Sequence, residues 1–304
     1  MRVLIIGGGA GGPKVAARLR RLAPQVEITL VDRSRMISHA GCGMPFYLAG
    51  AVKDFEELFK TPYGVKRDEA YFRDEKAVKV LKRTEAVGID WDRKEAALVN
   101  LDTGERFTLP YDKLVLATGA RPITLPVEGG DLAGVHYFHC PEDVQRLEGE
   151  IGEANEVAVI GAGFIGLEVA EALTQHPVFV TVVEQKETIL PGLLDPDMAR
   201  VLQNRLEEKG LEFRLGERVT RLEGNDKGRV ARVITENGTV EADLVIVAAG
   251  VRPNVDLARA AGLALGETGA ILVNEHMQTT DPDIYAVGDC VESVLSTRHL
   301  AQAL

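Results

Sequence analysis

A strand, a glycine turn and a helix occur twice in this chain, and that repeat limits what it can fold into. The first copy is "RVLIIGGGAGGPKVAARLRRL", with Gly7, Gly9 and Gly12 at G-x-G-x-x-G spacing. In a βαβ unit the first glycine permits a tight turn. The second lets a pyrophosphate approach the backbone, and the third lets helix and strand pack closely. The helix N-terminus then faces the phosphate charge. A second strand, "VEITLVDRS", ends in Asp32, at the distance where a carboxylate reaches ribose hydroxyls. The second copy is "EVAVIGAGFIGLEVAEAL", with Gly161, Gly163 and Gly166, and its second strand "VFVTVVEQ" ends in Glu184. An acid there, with no arginine beside it, favours an unphosphorylated ribose, hence NADH over NADPH; Lys186 moderates that preference.

Two dinucleotide sites imply one tightly held cofactor and one that comes and goes, with FAD and NAD(P)H the obvious pair. The chain has 304 residues, enough for two domains. Matching exits follow each copy: "YDKLVLATGARP" (111–122) and "ADLVIVAAGVRPN" (242–254) are apolar strands closing on small-residue turns. They read as the two crossings between domains. Before each crossing, residues 80–109 and 211–247 alternate apolar and polar positions around turn signals, the pattern of an antiparallel meander. The expected class is α/β: two Rossmann-like domains, each with a parallel sheet and an antiparallel β-meander.

Bulk properties exclude other classes. A net charge of −11 argues against a general nucleic-acid surface, so an anionic substrate needs a local basic patch. Three separated cysteines, Cys42, Cys140 and Cys290, make neither a disulfide framework nor a zinc site, which suits a reducing cytoplasm. No metal is expected. No apolar run approaches the ~20 residues of a membrane span. The apolar N-terminus continues into the glycine motif and reads as a first strand, not a signal peptide.

With the two glycine motifs, "ATGARP", "AAGVRPN" and "DIYAVGDC" (283–290), the chain resembles the FAD-dependent pyridine nucleotide-disulfide oxidoreductases over essentially its whole length. The resemblance implies a discontinuous FAD domain (1–120 plus 250–304) around an NAD(P)H domain (121–249), with FAD contacts from Gly7, Gly9, Gly12, Asp32, Arg33, Val80, Ala117, Thr118, Gly119 and Asp289. It implies NAD contacts from Gly161, Gly163, Gly166, Glu168, Glu184 and Gly250. Relatives continue into a C-terminal interface domain that forms a homodimer, and this domain is expected to be absent from the chain.

Within the family, "ISHAGCGMPFYLAG" (37–50) is similar to the single-cysteine branch: coenzyme A-disulfide reductases, NADH oxidases and peroxidases, and persulfide or polysulfide reductases. The shared pattern is Ser38, Cys42, Gly43, Pro45 and an aromatic. Gly41 and His39 stand where many relatives have asparagine and an aromatic. "RDEAYFR" also resembles relatives in sulfur metabolism. The resemblance implies that Cys42 is the redox residue. A thiolate is the reactive form, and a following helix start lowers its pKa. With no second thiol nearby, the redox partner comes from outside: a small disulfide, a persulfide, or peroxide or oxygen through a sulfenic acid. His39 is a candidate proton shuttle, and Ser38 a substrate contact or helix cap. Arg18, Arg20 and Arg21 form a candidate anion patch, with Arg18 and Arg21 matching coenzyme A phosphate contacts in relatives. Cys140 and Cys290 read as structural.

The expected function is NAD(P)H-dependent reduction of a coenzyme A disulfide, coenzyme A persulfide or polysulfide through Cys42. An NADH oxidase or peroxidase uses the same residues. A flavoprotein reductase of a protein electron carrier, or a non-catalytic NADH-binding module, would not need Cys42.

Overall fold

The computed structural model describes residues 1–293. The chain begins β1 (Arg2–Ile6), α1 (Gly11–Leu22), β2 (Glu27–Val31), α2 (Met44–Leu48), α3 (Glu69–Lys76) and β3 (Val78–Leu81). Then come β4 (Thr84–Asp90), β5 (Glu95–Asn100), β6 (Arg106–Pro110), β7 (Lys113–Leu116), β8 (Ala120–Pro122) and β9 (Val135–Tyr137). The second glycine unit follows as α4 (Pro141–Ile151), β10 (Glu156–Ile160), α5 (Phe164–Leu173), β11 (Phe179–Glu184), α6 (Pro196–Glu207) and β12 (Leu211–Leu215). Next are β13 (Val219–Gly224), β14 (Val230–Thr235), β15 (Thr239–Glu241), β16 (Leu244–Val247) and β17 (Val251–Pro253). The last elements are α7 (Asp256–Ala260), β18 (Ile271–Val273), β19 (Ile284–Ala286) and β20 (Val291–Ser293).

The chain divides into two compact units. The first comprises Met1–Ala40, Glu56–Arg121 and the described part of Pro253–Leu304; the second comprises Gly41–Phe55 and Pro122–Arg252. The first has a sheet in the order β19-β7-β1-β2-β3, parallel throughout, and an antiparallel meander β4-β5-β6. The second has a parallel sheet in the order β12-β11-β10-β16-β9 and a meander β13-β14-β15. The two sheets match strand for strand, with one exchange of order. The outer strand next to β7 comes late in the sequence, whereas the outer strand next to β16 comes early.

A parallel strand covered on both faces is apolar along its buried length, and β1 shows this from Val3 to Ile6. Leu4 and Ile6 face the core under the first meander, with Leu98, Leu114 and Ile284. Val3 and Ile5 face the opposite core, with Ala16 of α1, Leu30 and Phe72 of α3. In the second unit Ala158 and Ile160 of β10 pack with Val183, Val245 and Val233 under the second meander. Each such aliphatic side chain contributes roughly 2 kcal/mol on burial, so both cores hold their β-strand ends rigidly beneath the glycine turns.

Three boundaries differ from the sequence expectation. Val80 and Leu81, expected at the start of the first meander, end β3 in the parallel sheet, and the antiparallel strands begin at Thr84. The second meander is narrower than 211–247, because Leu211–Leu215 and Leu244–Val247 join the parallel sheet and only 219–241 is antiparallel. Residues 41–55, expected with the first domain, group with the second unit. The cause is local to α2. Met44 and Leu48 are buried, the Tyr47 hydroxyl donates to Glu148 of α4, and the Leu48 carbonyl accepts from His176 beyond α5. The part of the expected FAD domain at 294–304 lies outside the described residues. No helix among the described residues is long and apolar enough to cross a membrane.

Candidate functional site

Both glycine loops have the same construction. Gly7 (φ +117°) turns the chain off β1, and a Cβ there would fall 2.0 Å from the Ala117 carbonyl oxygen. A Cβ on Gly12 would fall 1.9 Å from the Gly7 carbonyl. In the second unit Gly161 (φ +108°) would meet the Ala248 carbonyl at 2.4 Å, and Gly166 the Gly161 carbonyl at 2.0 Å. The protein's own packing thus requires the outer glycines of each motif. It does not require the middle ones. A Cβ on Gly163 would meet nothing within 4 Å, and one on Gly9 would meet only His39 Cε1 at 3.9 Å. Bare backbone facing open space at the start of a long helix is the cradle a pyrophosphate needs.

Each second strand closes its loop with its terminal acid. Asp32 accepts the backbone N–H groups of Gly8 and, at 2.6 Å, of Ser34. Glu184 accepts those of Ala162 at 2.8 Å and Lys186 at 2.9 Å. Burial pushes the Asp32 carboxyl above its ordinary value, and the two N–H bonds oppose that rise. A carboxylate has about four acceptor positions, so each acid keeps capacity for ribose hydroxyls.

In the first unit a cleft of about 430 Å³ opens beside this loop, lined by Gly7, Asp32, Arg33, Thr118, Glu85 and Arg121 among others. Its volume lies in the range of small-ligand pockets. Asn254 shapes one wall: its Nδ2 donates to the carbonyls of Thr118 (2.9 Å) and Ala120 (2.8 Å), and its N–H to Gly119 (2.9 Å). The Thr118 hydroxyl donates back to the Asn254 carbonyl at 2.6 Å. Arg121 reaches Asn254 and Asp256. Sequence reasoning did not single out Asn254, Arg121 or Glu85, although "ATGARP" and "AAGVRPN" contain the first two. Ala117 sits over Gly7, and Arg33 is exposed near Glu85. Val80 packs toward the helix-side core, away from the cleft lining. Asp289 is exposed after the Gly288 turn that follows β19. In the second unit Glu168 is exposed on α5 and Gly250 (φ +100°) precedes β17.

The three thiols are free and differ sharply in setting. Cys42 is exposed on a 3-10 turn, Gly41–Gly43, that leads into α2. Cys290 is fully buried, with its sulfur against the carbonyls of Leu116 and Val287. Cys140 caps α4, where Asp143 accepts its backbone N–H at 3.0 Å; burial and that carboxylate push its thiol up to about 12. The helix start expected to activate Cys42 is a helix of only five residues, too short for a full macrodipole.

Ser38 and His39 belong to the first unit and Cys42 to the second. Ser38 caps no helix: it is buried at φ +54°, donates its N–H to the Gly8 carbonyl at 2.7 Å, and the residue preceding α2 is Gly43. His39 lies by Gly9. The three-arginine patch reduces to two. Arg20 is committed to the protein, donating to the carbonyls of Lys76, Ala77 and Pro24. Arg18 and Arg21 are exposed on α1.

The sequence profile described as pyridine nucleotide-disulphide oxidoreductase matches residues 1–303. The chain is 39% identical over 297 residues to a protein named NADH oxidase from Methanocaldococcus jannaschii, covering 97% of this chain and 64% of that protein. It is 36% identical over 293 residues to the "NAD(P)H sulfur oxidoreductase (CoA-dependent)" of Pyrococcus abyssi, covering 96% of this chain and 63% of that protein. Among solved structures it is similar to an NAD-dependent persulfide reductase from A. fulgidus, with a TM-score of 0.93 and 44% identity, covering 96% of this chain and 54% of that one. The chain spans about 64% of the length of the curated relatives it matches.

Proposed function

The chain belongs to the pyridine nucleotide-disulphide oxidoreductases, and from that premise we propose that it acts as an FAD-dependent NAD(P)H oxidoreductase reducing a small sulfur species through Cys42. The observation that carries this is the combination of two acid-closed glycine loops with one exposed thiol. Gly7, Gly9, Gly12, Asp32 and Thr118 would hold FAD. Gly161, Gly163, Gly166 and Glu184 would hold NAD(P)H, with the Glu184 charge favouring NADH. FAD, when bound, supplies a hydride acceptor for the nicotinamide and a two-electron donor for sulfur.

The part played by Cys42 is thiol–disulfide exchange. Its thiolate attacks one sulfur of R–S–S–R, the S–S bond breaks, RS⁻ leaves, and a mixed disulfide Cys42–S–S–R forms. Two electrons then cleave that bond, releasing the second RS⁻ and restoring the thiolate. The balance is NAD(P)H + H⁺ + RSSR giving NAD(P)⁺ + 2 RSH; a persulfide RSSH gives RSH and H₂S. Arg18 and Arg21 offer positive charge for the phosphates of a coenzyme A-borne substrate. Under this reading the protein works in the cytoplasm as a homodimer.

The similarity to a named NADH oxidase supports a second reading, in which peroxide or oxygen is the oxidant. With peroxide, the Cys42 thiolate attacks one oxygen, the O–O bond breaks, and Cys–SOH forms with release of hydroxide, which takes a proton to become water; two electrons and one proton then return the thiolate and a second water. Anaerobic titration with NADH, for wild type and Cys42→Ser, tests the shared premise. A long-wavelength charge-transfer band in the wild type and not in the variant is expected. Simple bleaching in both would move the function to electron delivery to a carrier. Ranking polysulfide, coenzyme A disulfide and peroxide as oxidants then separates the two readings.

A further inference from the structure

The turn that carries Cys42 cannot hold its own shape. It is a single 3-10 turn with glycine on either side of the thiol, and glycine adds backbone freedom. A Cβ on Gly41 would meet nothing within 4 Å, and Cys42 itself is exposed. The helix that continues the turn, α2, has five residues, well short of the ~12–15 that an isolated helix needs in water. On its N-terminal side the turn is tethered by the Ala40 N–H, which donates to the Leu58 carbonyl at 2.8 Å; on the other side the place of the thiol depends on what grips α2.

Two directional bonds do so from distant parts of the sequence. The Tyr47 hydroxyl donates to Glu148 Oε1 of α4 at 2.7 Å. His176, just beyond α5, makes a 2.7 Å bond between Nε2 and the Leu48 carbonyl. A carbonyl can only accept, so Nε2 carries the proton. Met44 and Leu48 are buried beneath, and the Tyr47 ring packs edge-on to Phe55 with centroids 5.3 Å apart. Apolar contact supplies area without direction; the two hydrogen bonds fix where α2 lies along α4 and α5. Burial, with Glu148 beside it, pushes the Tyr47 hydroxyl up to about 12, so it remains a donor at any working pH. None of the three side chains has a place in the electron transfer itself.

We propose that Tyr47, Glu148 and His176 are positioning residues that hold the Cys42 turn where its sulfur can exchange electrons, a role that rests on Cys42 being the redox thiol. The test uses the intact, FAD-loaded protein and the variants Tyr47→Phe, Glu148→Ala, Glu148→Gln, His176→Leu and Cys42→Ser. Three readouts are taken: sulfur-substrate turnover with polysulfide and with coenzyme A disulfide, NADH turnover with ferricyanide, and amide hydrogen exchange of residues 41–50. Losing a hydrogen bond to a charged group is expected to lower the sulfur kcat ~10-fold or more in Tyr47→Phe and Glu148→Ala, and to speed exchange of 41–50 by a similar factor. His176→Leu is expected to act in the same direction. Ferricyanide turnover and the KM for NADH stay at the wild-type level, because neither passes through the thiol. Glu148→Gln keeps an acceptor and restores most of the loss.

Three results overturn the proposal. Unchanged sulfur kcat and unchanged exchange in Tyr47→Phe and Glu148→Ala, with Cys42→Ser inactive toward sulfur, defeat it and leave the proposed function standing. An equal fall in sulfur and ferricyanide turnover shows a merely structural role. Full sulfur turnover in Cys42→Ser removes the redox role of the thiol, and the proposed function fails with it.

Discussion

Glu184 accepts the backbone N–H of Ala162 at 2.8 Å, the counterpart of the bond between Asp32 and Gly8. The acid that ends each second strand therefore braces the glycine loop it faces, in addition to the ribose contact proposed for it. Glu184→Ala would leave the N–H groups of Ala162 and Lys186 without their acceptor, costing about 1–3 kcal/mol. The KM for NADH should rise ~10-fold or more, while the penalty against NADPH shrinks because a negative charge facing the 2′-phosphate is gone. Steady-state kinetics with both nucleotides and a melting curve check this. A fall in stability with an unchanged NADH to NADPH ratio would mean that Glu184 only braces the loop.

The middle and last glycines of the second motif should behave oppositely. Gly163 has an extended backbone (φ −78°, ψ −176°) that alanine adopts freely, and its Cβ would meet nothing. Gly163→Ala should leave the melting temperature unchanged or slightly raised, by about 0.4–1 kcal/mol of stability. Nucleotide binding should weaken ~10-fold or more, since the proposed site has the pyrophosphate approach this glycine's bare backbone. Gly166→Ala places its Cβ 2.0 Å from a backbone oxygen, and should cost roughly 3 kcal/mol or more. Thermal unfolding and NADH titration of the two variants compare these directly. Equal destabilisation by both would undo the distinction.

Much of this was legible in the sequence because the decisive signals are local. The apolar strand, the glycine spacing and the acid ending the next strand lie within one βαβ unit, and the loops are built from those residues. The meanders were also visible as alternation, though the flanks of the second one joined the parallel sheet. Long-range contacts were not legible. Residues 41–55 follow the first unit in sequence, yet α2 is gripped by Glu148 and His176, whose side chains no local pattern connects to Tyr47 and Leu48. Arg20 looked like one of three equivalent helix arginines until Lys76, Ala77 and Pro24 supplied it with carbonyls. Asn254 ends the "AAGVRPN" motif, but its partners at 118–120 are more than a hundred residues away.

The three thiols should separate cleanly by reactivity. Alkylation follows the thiolate and its access. Cys42 is exposed, Cys290 is fully buried, and Cys140 is held protonated up to a pH near 12 by burial and Asp143. At pH 8 iodoacetamide should label Cys42 first, leaving Cys140 with a thiolate fraction on the order of 10⁻⁴. Raising the pH to 10 should speed Cys140 labelling by roughly the hundredfold gain in thiolate, provided the fold is intact. Peptide mass mapping over time measures all three at once. Fast labelling of Cys140 at pH 8 would contradict its burial and its carboxylate neighbour.

Asn254 offers the sharpest separation of shape from chemistry in the first unit. Its Nδ2 group donates to two carbonyls, Thr118 and Ala120, on the loop that sits against the Gly7 turn and lines the cleft. Asn254→Ala removes both donors and leaves those carbonyls without these partners, at about 1–3 kcal/mol. Asn254→Asp has almost the same size, but a carboxylate can only accept, so its oxygen would face two carbonyl oxygens. The aspartate variant should therefore be at least as unstable as the alanine one at neutral pH, despite filling the space. It should recover part of the difference as the pH falls below about 4, where the carboxyl regains a proton to donate. FAD retention after gel filtration should fall in the same order, because the cleft wall loosens with the loop. Thermal unfolding at pH 7, together with the FAD content of each variant, checks this. If Asn254→Asp is as stable as wild type at pH 7, the donors are not what hold the loop, and the cleft owes its shape to backbone packing around Gly7 and Ala117.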